Sequence, residues 1–435
     1  MKYALAFALL GLAHVAQAQE LPRPVTDADF DAIDPQEAAL GQLLFYDPIL
    51  SGNQEVACAT CHHPAFGTSD GISLGIGDGG RGLGTQRVVD PQNLPEQRIP
   101  RNAPALFNLG AHEFTTLFHD GRIEVDVTRP GGIRTPLDAD MAVGFASLLS
   151  AQTMFPVLSG DEMAGHYSEN DISAAVRRGE LTGQGGAWDI ISRRVAALPA
   201  YAEAFVATYD HIDHPDQIAF TDISNAIAVF MAFEWRSDTA PFDAVLRGTA
   251  TLSEPAAAGM ALFYGDAGCA NCHSGPFLTD HAFHAVGSPQ IGPGKAARFE
   301  NHARDEGRFR VTGDPADLYA FRTPSLRNIA LTAPYGHAGA YADLRAFLVA
   351  HLDPLAALEN YDLAQARLPA FDTDDRRETF AAIAQAAQPV GPALDDAQID
   401  QLLAFLQTLT DPNAPVGRLG VPDHVPSGLE VPNPR

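Results

Sequence analysis

Two copies of one pentapeptide, C-x-x-C-H, constrain this chain more than any other feature of its sequence. They stand at residues 58–62 and 269–273, and together they use all four cysteines of the chain. Two thiols at this spacing can form thioether bonds with the two vinyl groups of one porphyrin, and the adjacent histidine then lies beneath the iron. The sequence therefore predicts two covalent c-type haems. Their predicted protein ligands are Cys58, Cys61 and His62 for the first haem, and Cys269, Cys272 and His273 for the second.

Two other uses of the cysteines stay open at this point. The four thiols can form one zinc site, or each C-x-x-C can close a disulfide. Zinc leaves the twin histidines unexplained, and a C-x-x-C disulfide is typical of a thioredoxin-like redox context, which the sequence does not show. The pattern favours the two haems.

The length of the chain bounds the number of domains, and its net charge bears on the kind of partner it binds. The chain has 435 residues, enough for two or three domains with substantial cores. Its formal net charge of −26 argues against nucleic-acid binding. An acidic surface can steer a basic redox partner toward the protein, and it also serves solubility.

The first 18 residues have the pattern of a secretory signal. Lys2 supplies the positive charge, residues 4–15 the apolar run, and residues 16–18 the small-residue cleavage site before Gln19. We therefore expect export, to the periplasm if the host is Gram-negative, with an uncleaved anchor as the alternative. No apolar run reaches the ~20 residues that span a bilayer, so no integral membrane segment is predicted.

Apolar periodicity and turn residues predict a mainly α fold, with two cytochrome c-like haem domains and long irregular loops. We expect a signal peptide at 1–18, an N-terminal haem domain at 19–238, a C-terminal haem domain at 239–411, and an extended Pro-rich tail at 412–435. Both halves run helix, pentapeptide, loop, which indicates a weak internal repeat. Helices are predicted at residues 29–44, 169–179, 187–197, 199–209, 220–235, 255–264, 342–352 and 395–409.

Five further segments carry a resemblance to a known family. They are "RNAPALFN" from residue 101, "FHDGR" from 118, "GDEM" from 160, "GMALF" from 259 and "FRTPSLRNIALTAPY" from 321. From about residue 37 to 411, the chain resembles the bacterial di-haem cytochrome c peroxidases, including the MauG-like branch. The resemblance implies that the first haem reacts with peroxide and that the second transfers electrons to it.

The resemblance also implies catalytic residues around the first haem. Glu162, followed by Met163, stands where the family has a distal glutamate, and Gln152 matches a distal glutamine ten residues earlier. Pro156 matches the proline between them. A carboxylate above an open iron can move a proton from one peroxide oxygen to the other.

A calcium ion between the two domains is a further implication of the resemblance. The matching ligands are the side chain of Asn102 and the backbone carbonyls of Thr332 and Pro334. Oxygen ligands completed by water suit a hard cation of this kind.

Three positions depart from the family pattern. Residues 64–111 include no histidine that could cap the first iron, so the first haem is expected to be open. His119 of "FHDGR" stands where the family has an inter-haem tryptophan. His351 lies twelve residues after Gly339, in the register of the family's methionine or tyrosine ligand, and predicts that His273 and His351 together ligate the second iron.

These residues predict an exported peroxidase that reduces hydrogen peroxide to water with electrons from a small redox protein, a cytochrome c or a copper protein. Two alternatives stay open: a MauG-like enzyme that oxidises a partner protein, and a non-enzymatic electron-transfer cytochrome. The missing capping histidine favours the MauG-like role slightly, whereas His119 and His351 count against it. Glu162 and Gln152 argue against the third role. Family members are often homodimers, but no interface can be read from the sequence.

Overall fold

A computed structural model describes residues 20–141, 143–295, 300, 302–368, 377–388 and 390–434. The predicted signal at residues 1–18 lies outside the described residues. Helices and irregular loops make up most of the described chain, and its strands are two or three residues long.

The helices divide between the two halves of the chain. In the N-terminal half they are α1 (Pro35–Tyr46), α2 (Cys58–Cys61), α3 (Leu148–Thr153), α4 (Asp171–Arg178), α5 (Ala187–Ala196), α6 (Pro199–Thr208) and α7 (Phe220–Glu234). In the C-terminal half they are α8 (Pro241–Leu246), α9 (Glu254–Tyr264), α10 (Phe309–Thr312), α11 (Leu344–Leu352), α12 (Pro354–Glu359), α13 (Arg377–Ala386) and α14 (Asp396–Gln407).

The strands form small antiparallel ladders between loops. They are β1 (Gly80–Arg81) with β2 (Val88–Val89), then β3 (Thr116–Leu117), β4 (Ile123–Val125) and β5 (Ile133–Arg134) in that order, and β6 (Phe283–His284) with β7 (Phe321–Arg322). Such short ladders hold neighbouring loops together by backbone hydrogen bonds and are too small to form a hydrophobic core of their own.

Seven of the eight predicted helices begin and end within two residues of their expected bounds. The first begins six residues late, at Pro35, because the Asp34 carboxylate accepts a hydrogen bond from the backbone N–H of Gln36 at 2.8 Å and caps the helix there. Six helices were not predicted: α2, α3, α8, α10, α12 and α13. Five of them have only four or six residues, too few to show an apolar period, and α13 is rich in alanine.

The internal repeat has a structural counterpart in two helix crossings, each made at a glycine. A Cβ on Gly41 of α1 would lie 1.9 Å from the carbonyl oxygen of Ala226 in α7, and a Cβ on Gly259 of α9 would lie 1.9 Å from that of Gln401 in α14. These distances are far inside van der Waals contact, so the helices approach this closely only because glycine stands there. Since α1 and α9 lead into the two pentapeptides, the crossings fix where each pentapeptide lies.

The tail returns to the N-terminal half and packs against it. Its described residues, 412–434, form neither helix nor strand, as expected. The Glu234 carboxylate accepts hydrogen bonds at 2.7–3.0 Å from the backbone N–H groups of residues 418–420. Ser427 Oγ donates to Asp47 at 2.6 Å, and apolar tail residues join the N-terminal core.

The glycine at the C-terminal crossing gives a first test. Gly259→Ala should lower the free energy of unfolding by about 1–3 kcal/mol, because the added methyl group pushes α9 away from α14. Denaturant unfolding followed by circular dichroism measures the change. Ala261→Ser, on an exposed position of the same helix, should stay within about 0.5 kcal/mol of the parent protein. An equal change in the free energy of unfolding in the two variants would contradict a close approach of α9 and α14 at Gly259.

Candidate functional site

Each pentapeptide begins with one tight helical turn. Residues 58–61 form α2, and residues 269–271 form a 3₁₀ turn. In both copies the backbone N–H of the histidine donates a hydrogen bond to the carbonyl of the first cysteine at 3.0 Å. This bond closes the turn and brings the two thiols, three residues apart, to the same side.

The thiols fit covalent haem better than either alternative. All four are unpaired, so neither C-x-x-C forms a disulfide. They do not form one zinc site, because Cys58 packs against the N-terminal core and Cys269 against the C-terminal core. Burial raises the pKa of the Cys58 thiol to about 12 and that of Cys269 to about 11. Such apolar surroundings disfavour a thiolate ligand and suit a thioether.

The two proximal histidines are oriented in the same way. The Nδ1 atom of His62 lies 2.9 Å from the carbonyl oxygen of Thr68, and that of His273 lies 3.2 Å from the carbonyl oxygen of Leu278. A carbonyl acceptor holds the proton on Nδ1 and leaves the Nε2 lone pair free for iron. Both rings therefore have the orientation that an axial haem ligand needs.

A cavity beside the second pentapeptide brings His273 and His351 together. Both rings line it, with Cys269, Cys272 and mostly apolar side chains around them. Burial, and then the nearby His273, lower the pKa of His351 to about 4, so its ring is neutral near pH 7 and able to ligate a metal. The thiols at the wall and the two imidazoles fit a flat apolar macrocycle with two axial histidines.

Glu162 occupies an unusual turn close to the first pentapeptide. It lies in a single π-turn, residues 160–164, whose backbone packs against Gly77 so closely that a Cβ there would lie 2.4 Å from the Glu162 carbonyl oxygen. The N–H of Asp78 donates to that same carbonyl at 2.9 Å. Burial, then Asp70, Arg87 and Glu162, shift the pKa of the Cys61 thiol, so the Glu162 carboxylate lies within electrostatic reach of the first pentapeptide.

Two cations oppose the effect of burial on Glu162. Burial raises the pKa of its carboxyl group above the ordinary value, and Lys295 and then Arg122 lower it again. Lys295 is the one lysine that follows Lys2 in the sequence, and burial followed by the charges of Arg122 and Arg101 lowers its pKa to about 8. The sequence analysis missed Lys295; its rarity among 26 arginines was the signal.

Gln152 and Pro156 lie at the end of α3 and just beyond it. Gln152 lines the cavity beside the second pentapeptide, as His119 does, whereas Glu162 and Pro156 are not among the lining residues of that cavity. The Gln152 Oε1 atom is buried without a hydrogen-bond partner among the described residues. Pro156 begins a 3₁₀ turn over residues 156–158 that leads toward the π-turn of Glu162. An amide oxygen without a partner is costly unless a further donor reaches it.

His119 and His337 occupy the part of the cavity between the two halves. His337 stacks on Phe321 with ring centroids 3.9 Å apart and an interplanar angle of 11°. Burial, and then Arg101, push the pKa of His119 well below its ordinary value. The stack and its place on the cavity wall give His337 a role in lining the space between the two sites.

Arg101 joins the two halves beside these rings. Its guanidinium binds Asp120 of the N-terminal half at 2.7 Å and both carboxylate oxygens of Asp305 of the C-terminal half at 2.7 Å. All three side chains are buried. This network was also missed, because nothing in the sequence marks an ion pair between residues about two hundred positions apart.

The predicted calcium ligands come together in part. The Asn102 amide nitrogen lies 2.9 Å from the carbonyl oxygen of Pro334, and Thr332 lines the same cavity. The Oδ1 atom of Asn102 is buried and has no partner among the described residues. An orphaned acceptor beside a backbone carbonyl fits a site for a hard cation.

Comparisons with known proteins agree with this geometry. A family model described as di-haem cytochrome c peroxidase matches residues 35–251. Methylamine utilization protein MauG of Methylorubrum extorquens is 30% identical over 329 residues, which cover 75% of this chain and 71% of that protein. Cytochrome c551 peroxidase of Pseudomonas aeruginosa is 27% identical over 350 residues, covering 80% and 79%.

Solved structures extend the likeness to nearly the whole chain. A MauG-like protein associated with microbial copper homeostasis is 26% identical, with a TM-score of 0.58 over 94% of this chain and 97% of that one. The diheme peroxidase BthA of Burkholderia thailandensis shares the fold with a TM-score of 0.60 at 20% identity, over 91% and 92%. Among the described residues, no helix is long and apolar enough to cross a membrane.

The buried His337 ring predicts a loss of stability in acid. Burial lowers the pKa of its imidazole to about 4 from 6.5, so the unfolded chain binds the proton first as pH falls. The titration of this ring therefore leaves the free energy of unfolding unchanged above pH 6.5. As the pH falls from 6.5 to about 4, keeping the ring neutral in the folded state lowers that free energy by an amount on the order of 3 kcal/mol. Urea unfolding across that range measures it. His337→Phe, which keeps a ring on Phe321, should flatten the slope, whereas the exposed His211→Gln should not. An unchanged slope in His337→Phe would contradict the assignment.

Proposed function

This chain belongs to the di-haem cytochrome c peroxidase family, and from that premise we propose that it reduces hydrogen peroxide to water with electrons from a small redox protein. The electrons enter through the second haem, and peroxide binds at the first. Family membership makes the chain a di-haem peroxidase; the direction of electron flow and the donor are the parts proposed here.

The observation that carries the proposal is the inequality of two otherwise similar sites. At the second site His351 and His273 line the same cavity and interact electrostatically, so both imidazoles would hold the iron of the second haem. At the first site the ionisable groups that act on the Cys61 thiol include Asp70, Arg87 and Glu162, and residues 64–111 supply no histidine. One site therefore accepts a small ligand and the other does not.

Reduction of one peroxide molecule to two water molecules takes two electrons and two protons. In addition, a proton of the peroxide itself must move from one of its oxygen atoms to the other. Haem iron, when bound, supplies the position at which the O–O bond is cleaved. Glu162 accepts the proton from the oxygen nearer the iron and returns it to the leaving oxygen, which departs as water. Lys295 and Arg122 favour the ionised carboxylate that this base needs, against the opposite effect of burial.

Gln152 and Pro156 assist by position. The free Oε1 atom of Gln152 accepts a hydrogen bond from a peroxide or water hydrogen in the cavity and so orients it. Pro156 fixes the turn after α3 and restricts the space above the first site. Pro156 also leads the chain into the π-turn of residues 160–164 and so helps to set the position of Glu162.

The second site serves electron entry alone. Methionine ligation raises the potential of a haem, so a second haem held by His351 instead would have a lower potential. A surface with a net charge of −26 attracts a basic donor, which suits a small cytochrome c or copper protein of positive charge. The predicted signal at residues 1–18 would bring the enzyme to the periplasm.

We propose further that calcium lies between the halves, on the Asn102 side chain and the carbonyls of Thr332 and Pro334. The unpartnered Oδ1 of Asn102, close to the Pro334 carbonyl, supports it. The ion would hold the loop that follows Arg101 against the C-terminal half, and with it the space between the two haems.

Glu162→Gln tests the catalytic assignment. The amide cannot carry the proton, so peroxide-dependent oxidation of reduced cytochrome c should slow by about 10²–10⁴-fold. Stopped-flow absorbance measures the rate, and the haem spectrum shows that both haems are still attached. Asp161→Asn is the matched control, because that neighbouring carboxylate bonds Gln97 at 2.7 Å instead.

The same measurements separate the peroxidase from the MauG-like alternative, which the absence of a histidine in residues 64–111 favours. Rapid donor oxidation in the parent enzyme and its loss in Glu162→Gln support the peroxidase. A lasting spectral change after peroxide with poor donor oxidation would contradict it and favour a protein substrate. Absence of any response to peroxide would leave only electron transfer.

His351→Met tests the closure of the second site. The reduction potential of the second haem should rise in this variant, because a thioether stabilises the reduced iron more than an imidazole does. Spectroelectrochemical titration measures it. His284→Met is the matched control, since His284 lines the same cavity but bonds Asp280 at 2.8 Å. A rise in the control, or none in His351→Met, would overturn the ligand assignment.

A further inference from the structure

Asp78, His166 and Glu169 form a second polar cluster, outside both haem sites. One donor atom from each, an imidazole nitrogen and two carboxylate oxygens, lies within 4.8 Å of the other two. Asn53 and Asn93 place amide groups at the same point. The proposed peroxidase function uses none of these five side chains.

Three oxygen atoms converge on one ring nitrogen in this cluster. His166 Nδ1 lies 3.3 Å from an Asp78 carboxylate oxygen, 3.6 Å from a Glu169 carboxylate oxygen and 3.3 Å from Asn93 Oδ1. An N–H···O hydrogen bond is usually about 2.7–3.2 Å long, and one N–H serves one acceptor well. The nitrogen can therefore serve at most one of the three oxygens well, at the long end of the range. The Glu169 oxygen also accepts from the backbone N–H of His166 at 2.5 Å and from the Asn53 amide at 2.6 Å.

The two carboxylates also lack a cation. Asp78 is 0% exposed, and in the described part of the chain its ion-pair contact is the imidazole of His166. The Asn53 amide nitrogen serves both carboxylates, at 3.0 Å from Asp78 and 2.6 Å from Glu169. A buried carboxylate beside a second one is costly unless a positive charge lies between them.

The spacing of the four atoms matches a tetrahedral metal ion. Zinc binds imidazole nitrogen and carboxylate oxygen at about 2.0–2.2 Å, which puts neighbouring ligand atoms of a tetrahedron about 3.4 Å apart. The three observed separations from His166 Nδ1 are 3.3, 3.6 and 3.3 Å. Calcium and magnesium take oxygen ligands, so the imidazole favours a transition-metal ion.

We propose that Asp78, His166, Glu169 and the Asn93 side chain bind a zinc ion. Asp78 connects this site to the first haem site, because its backbone N–H donates to the Glu162 carbonyl at 2.9 Å. Glu169 lies just before α4 on the other side of the π-turn of residues 160–164. Zinc would therefore hold the loop that contains Asp78 against the turn that carries Glu162. The site is independent of whether Glu162 is the catalytic base.

Zinc binding to the enzyme with both haems attached tests the proposal. After treatment with chelator and return of excess Ca²⁺, equilibrium dialysis against Zn²⁺ should load one ion per chain, counted by mass spectrometry of the metal. Asp78→Asn and Glu169→Gln should each weaken that binding by more than about tenfold. Zinc-edge X-ray absorption should show nitrogen and oxygen neighbours and no sulfur. Unchanged haem and circular dichroism spectra show that the variants are folded.

His211→Gln is the matched control, because His211 forms an exposed imidazole–carboxylate pair with Asp222 at 3.0 Å and lacks further ligands. It should bind zinc as the parent enzyme does. Loss of zinc in this control, or retention in both Asp78→Asn and Glu169→Gln, would overturn the site. So would sulfur neighbours, or a parent enzyme that binds Ca²⁺ but no Zn²⁺ there. Absence of any bound ion in the parent enzyme would overturn the site as well.

Discussion

The position of every group between the two sites depends on one buried guanidinium. Arg101 binds Asp120 from its own half and Asp305 from the other. Its planar guanidinium donates hydrogen bonds to both carboxylates in one fixed geometry. Buried charges tolerate little displacement, because a broken pair leaves an uncompensated ion. Asn102 follows directly in the chain, so the same anchor sets the loop that meets the Pro334 carbonyl. Relative motion of the halves would break these contacts together.

The two haem sites show how one local scaffold supports two kinds of chemistry. Each has a glycine-crossed helix, a tight turn that presents two thiols, and a histidine held by a carbonyl oxygen. What differs is the element that carries the second candidate residue of each site. At the second site this is α11, a regular helix with His351 near its end. At the first it is a single π-turn with Glu162, and π-turns are frequent at functional sites.

Local patterns predicted the local parts of this structure. The pentapeptides predict the haem ligands, because their geometry is set within one turn, and apolar periodicity predicted seven helices to within two residues of their observed ends. His351 was found by counting in a helix, where register is rigid. Arg101–Asp305, the His337–Phe321 stack and the approach of Lys295 to Glu162 were not predicted, because each depends on how distant loops meet. The cluster around His166 was missed for the same reason: Asn53, Asp78 and Glu169 come from three separate loops.

The path of the C-terminal tail imposes an order on the folding of the chain. A chain is synthesised from its N-terminus, yet residues 418–420 are the groups that satisfy the buried Glu234 carboxylate, and Ser427 bonds Asp47. The first half cannot complete its core until the last segment has emerged. Until then its thiols stand in an unfinished domain, which gives the attachment machinery a period of access to Cys58 and Cys61. The tail therefore acts as a late closure, and a nascent chain that stalls before it leaves the first half open.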